Sequence, residues 1–140
     1  MKNSKALKIY LLVAGALLAF IGGSTLAMPV AMKAGVGIDI AGSVSVINDT
    51  RAFGAQLLAF GLLTVSAVFV NRLSYTATLV SSLIFLSLGI GRALSLTLDG
   101  MPVDGLVKAT VLEFVLGLIG LVLFRIEHMA KRKESRVLLG

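Results

Sequence analysis

The chain contains no cysteine and no tryptophan, and its 140 residues include one histidine, His128, and two prolines. Without cysteine there is no disulfide, thiolate metal site or thiol nucleophile. A single histidine leaves no cluster for zinc, copper or bis-histidine haem, so neither a metal site nor a cofactor is expected. Charge is scarce too: 14% of residues are charged, against about a quarter in an ordinary soluble domain. That is too little polar surface to face water on every side. What the chain has instead is apolar, with 57% hydrophobic residues, and a bilayer is the natural solvent for it. The formal net charge of +6 does not point to nucleic acid, because the basic residues flank apolar runs. Membrane lipids are the expected partners.

Crossing about 30 Å of hydrocarbon takes about 20 helical residues. Charge-free runs cover 9–28, ending before Pro29, then 52–70 and 73–91, the third continuing through Arg92 to Leu98. A fourth run begins near Gly105 and is interrupted by Lys108 and Glu113. The expected fold is therefore all-α, an up-down bundle of four transmembrane helices at about 9–28, 52–70, 75–98 and 105–126 in one membrane domain spanning 1–140. A basic cytoplasmic tail would follow over 127–140. A cleaved signal peptide is set aside for the first run, which is too long for an apolar h-region and would leave the other spans without a partner helix.

Orientation follows from the basic residues. Placing both termini inside puts nine lysines and arginines on the inner side and four on the outer, while five of the seven acids are outer. The positive-inside rule then gives both ends cytoplasmic. Asn71–Tyr75 makes a tight inner turn, and Asp99–Asp104 an outer turn built on Asp-Gly and Pro. In the longer first loop, Val36, Ile38 and Ile40 alternate with Gly37 and Asp39, and Val44 and Val46 flank Ser45. Alternation around Ala41-Gly42-Ser43 reads as a short β-hairpin over the outer end.

Each span carries a stripe of small residues, the feature that lets helices approach closely in lipid. Gly15, Ala19 and Gly22 mark the first helix, and Gly54 and Gly61 the second. On the third and fourth, the stripes also carry Arg92 and Glu113. Arg92 lies seven residues before Asp99 and Glu113 nine after Asp104, which places them about 10 Å and about 13 Å below the outer turn. Antiparallel neighbours bring them to similar depth, and an unpaired charge there is costly, so an Arg92–Glu113 pair is expected. A second polar group gathers at the outer surface. Asn48, Asp49 and Thr50 read as the N-cap of the second helix, with Arg51 in its first turn. A cation at a helix N-terminus calls for an anionic partner, which Asp49, Asp99, a lipid phosphate or a ligand would supply. The candidate polar cluster is thus Asn48, Asp49, Arg51, Arg92, Asp99 and Glu113.

Three segments, N-D-T-R-A-F-G at 48–54, G-R-A-L-S-L-T-L-D-G-M-P at 91–102 and V-L-E-F-V-L-G at 111–117, together resemble a family of small bacterial membrane proteins of unknown function with four spans. The resemblance runs from the first loop to the fourth helix. It implies a bacterial cytoplasmic membrane protein and no particular activity. No nucleophile–base set accompanies Glu113, so no catalytic residue is expected. Two readings stand ahead of a third, acid–base catalysis or proton conduction at Glu113. The first is a non-enzymatic structural or accessory component of the inner membrane, as a homo-oligomer or in a larger complex. The alternative is binding or transport of a lipid or small anionic ligand through the outer polar cluster.

Overall fold

In the computed structural model, described over residues 4–139, every regular element is helical. The side chains of His128 and of the basic run Lys131–Lys133 lie outside the described residues, as does the backbone of Lys2. The elements are α1 (Lys5–Ala27), α2 (Pro29–Ala34), α3 (Val44–Phe69), a 3-10 turn (Asn71–Leu73), α4 (Ser74–Leu98) and α5 (Asp104–Leu139). Four segments, Lys5–Ala27, Val44–Phe69, Asn71–Leu98 and Asp104–Glu127, are long and apolar enough to cross a membrane.

Local chemistry sets the helix ends. Ser4 caps α1, its hydroxyl oxygen accepting from Leu7 N, and Pro29 ends that helix while serving as the first residue of α2. Ser43 caps α3 by accepting from Val46 N. That cap corrects two expectations. Asn48–Arg51 do not form the start of the helix but lie inside it, beyond its first turn. No hairpin forms among the described residues: Pro29–Ala34 is helix, and Val44 and Val46 belong to α3. Residues 35–43 only turn the chain, with Gly37 at φ +81°. The expected start of the first helix also moves, from Ile9 back to Lys5, and the tail beyond 127 continues α5.

The helices associate in two unlike pairs. α1 and α3 run antiparallel with backbones in direct contact, Gly15 against Val65, Ala19 against Gly61 and Gly22 against Gly54. A Cβ on Gly15 would lie 2.7 Å from the Val65 amide nitrogen, so only glycine permits this approach. α4 and α5 also run antiparallel but meet mainly through side chains. Gly89 faces the Phe114 ring, Leu86 fills the space over Gly117, and the Tyr75 and Phe124 rings meet tilted at 45° with centroids 4.6 Å apart. The core includes Leu7, Leu11, Ala14, Leu18, Leu57, Phe85 and Leu116. The Tyr10 hydroxyl joins α1 to α4 through Ser81 and Ser82, at 3.3 Å each. Buried hydroxyls on α4 return their hydrogen bonds to the helix itself, Thr78 to Ser74 O and Ser82 to Thr78 O at 2.6 Å. In hydrocarbon such internal satisfaction is required, since no water is present to supply it. Large apolar side chains such as Phe20, Leu62, Leu83 and Leu118 stay exposed on the outside of the bundle.

Candidate functional site

One end of the bundle carries the start of α1 and the 70–74 turn; the opposite end carries α2, the 35–43 loop and the α4–α5 turn. The polar chemistry lies toward that opposite end. Asp99 is the C-cap residue of α4 and Gly100 follows at φ +98°, a left-handed conformation that glycine adopts without strain. The reversal brings α5 back along α4 and sets Arg92 against Glu113. Arg92 Nε donates to both Glu113 oxygens at 3.1 Å, with the two side chains 33% and 10% exposed. The carboxylate is thereby matched inside the bundle by a pair that bridges α4 and α5.

The other candidate residues are not drawn into this group. Arg51 reaches the end of α1, where Nη1 donates to the carbonyls of Leu26 and Ala27. Those are orphan acceptors at the negative end of a helix, so a helix terminus fills the role expected of an acidic partner. Asp99 accepts from the Ser95 hydroxyl at 2.7 Å, one turn back on its own helix. Asn48 and Asp49 are exposed on α3 and make no side-chain hydrogen bond among the described residues. Of six candidates the structure joins two, Arg92 and Glu113.

Those two line a partly open cavity of about 270 Å³, to which all four long helices and the α2 region contribute. Its walls are apolar, with Leu18 and Ile21 from α1, Leu57 from α3, Leu88 from α4 and Ala109 from α5. Thr25, Lys33, Arg92 and Glu113 supply its polar groups. Toward the other end of the bundle it stops at Leu18 and Phe85, and beyond them Leu11 and Ala14 are fully buried. An apolar cavity with a few convergent polar groups is the usual form of a small-molecule site. Lys33 and the cavity itself were missed from sequence. The signal for α2 was present, since Pro29 heading V-A-M-K-A is a good first helical residue, and α2 is what brings Lys33 to the cavity.

Among the described residues no cluster of histidine, cysteine, aspartate and glutamate is placed to hold a metal ion. No curated protein and no solved structure matches the chain. A family model described as a domain of unknown function, DUF4345, matches residues 6–124, and the chain belongs to that family.

Proposed function

We propose that the protein is a multi-pass membrane protein that binds a small lipid-like molecule in the cavity between its four long helices. The observation that carries this reading is the cavity itself: about 270 Å³, walled by apolar side chains, with a charged group at one place. A chain built only to hold helices together gains nothing from leaving such a volume unfilled, because voids forfeit dispersion contacts. The buried core at Leu11, Ala14, Leu18 and Phe85, beyond the cavity, favours binding over conduction. The basic residues at the end carrying the chain termini support an orientation with both termini in the cytoplasm of a bacterial cell. The cavity then opens toward the outer half of the membrane.

The test is native mass spectrometry of protein released from its own membranes in mild detergent. Wild type is expected to carry a stoichiometric small molecule. Ala109→Phe, which fills the cavity from α5, is expected to lose it while keeping its thermal stability. Bare wild-type protein, alone or in a defined assembly, would overturn the binding reading. It would favour the structural one, for which the Arg92–Glu113 bridge between α4 and α5 is the specific support.

A further inference from the structure

Resting on the cavity reading, we infer that the occupant is a single-chain amphiphile whose head carries one negative charge, received by Lys33 and the free edge of Arg92. The cavity is lined by two cations, Lys33 and Arg92, and one carboxylate, Glu113, so one positive charge is left over. Glu113 does not use up the guanidinium. Both its oxygens accept from Nε, so one of the five N–H donors of the arginine is engaged. Neither Nη1 nor Nη2 has a hydrogen-bond partner among the described residues. One hydrogen from each forms the parallel donor pair that matches a carboxylate or phosphate edge. Both side chains line the cavity, and Arg92 is 33% exposed against 10% for Glu113, so more of the cation than of the carboxylate is left uncovered. Lys33, half-buried at the end of α2, forms no ion pair among the described residues. It supplies a point charge at the same cavity.

Volume decides the tail. At about 270 Å³ the cavity lies just under the range of about 300–1,000 Å³ usual for small-molecule sites, a size suited to one chain of medium length. The apolar walls at Ile21, Leu57, Leu88 and Ala109 receive that tail.

The experiment is equilibrium binding of radiolabelled decanoate to the full chain in lipid nanodiscs, with empty nanodiscs as the blank. It is run at about pH 9, where a carboxylic acid is ionised. Unlabelled decanol, decyltrimethylammonium and decyl phosphate serve as competitors. Saturable binding of one decanoate per chain is expected, with decanol about ten- to a hundredfold weaker as a competitor. Lys33→Gln is expected to narrow that ratio. The double change Arg92→Gln/Glu113→Gln keeps a neutral hydrogen-bonding pair between α4 and α5, removes the guanidinium edge, and is expected to narrow it as well. Decanol competing as well as decanoate would overturn the charged head and leave the cavity reading standing. Decyl phosphate, a dianion at that pH, competing more tightly than decanoate would overturn the single charge. No saturable binding of decanoate and no competition by decanol would remove the cavity reading together with this inference.

Discussion

Replacing Gly54 by alanine puts a methyl group where nothing nearby can swing aside. A Cβ there would lie 2.6 Å from the Leu26 amide nitrogen and 2.9 Å from both Gly22 O and Thr25 C, all backbone atoms of α1. Ordinary contact begins at 3.4 Å, so α1 and α3 must separate by up to about 0.8 Å at their crossing. A gap of about 0.5–1 Å forfeits a quarter to a half of each atom pair's attraction, itself about 0.1–0.2 kcal/mol. Over the tens of pairs at a helix crossing the loss is about 1–3 kcal/mol, in line with other overpacked sites. Alanine also favours helix over glycine by about 1 kcal/mol, which partly masks that loss. Gly91→Ala is the matched control, because Gly91 sits within α4 and a Cβ there meets nothing within 4 Å. The difference between the two variants isolates the clash. It is read from reversible unfolding in mixed micelles, with Gly54→Ala expected to be less stable than Gly91→Ala by about 1–3 kcal/mol. Equal stabilities, within about 0.5 kcal/mol, would refute direct backbone contact between α1 and α3.

Three further outcomes are expected. Exchanging the ion pair, Arg92→Glu with Glu113→Arg, should retain a folded protein, whereas Arg92→Ala alone should cost about 2–3 kcal/mol. That is less than for a fully buried pair, because the arginine is partly exposed; additivity in the double-mutant cycle would show that the two do not act as a pair. Arg51→Ala should lower stability by about 1 kcal/mol by uncapping α1, with ligand retention in native mass spectrometry unchanged. Loss of the ligand at full stability would return Arg51 to a binding role. Tyr10→Phe removes two long hydroxyl contacts to Ser81 and Ser82 and should cost no more than about 1.5 kcal/mol in the same unfolding assay. A loss above about 3 kcal/mol would mean that these hydroxyls hold the two helix pairs together.

The helices were legible in the sequence because hydrocarbon thickness dictates the length of an apolar run. Their ends were not. An apolar run marks what sits in hydrocarbon, while α3 begins eight residues before Ala52, carrying Asn48–Arg51 along as helix. The hairpin misreading has a similar cause. Val44 and Val46 lie two apart, too few positions to separate a strand from the first turn of a helix, and Ser43 decided it as a cap. Arg92 and Glu113 could be paired in advance because a short turn fixes relative depth along two antiparallel helices. Arg51 could not be assigned, since its acceptors are main-chain carbonyls of Leu26 and Ala27, which have no signature of their own. The cavity was invisible for a different reason: it is a deficit of volume shared by four long helices and the α2 region, and no local pattern records it.

The unlike joints of the two helix pairs have a consequence for assembly. Because α1 and α3 meet backbone to backbone, their association asks almost nothing of side-chain conformers and is available as soon as both have entered the bilayer. The α4–α5 joint instead waits for Phe114, Leu86 and the Arg92 side chain to find their seats. During synthesis the first pair emerges first and provides a formed surface against which the second settles. The 70–73 connection therefore divides the chain into two halves, each holding one of its two largest interfaces. Halves expressed as separate polypeptides in one membrane should accordingly find each other and rebuild the bundle.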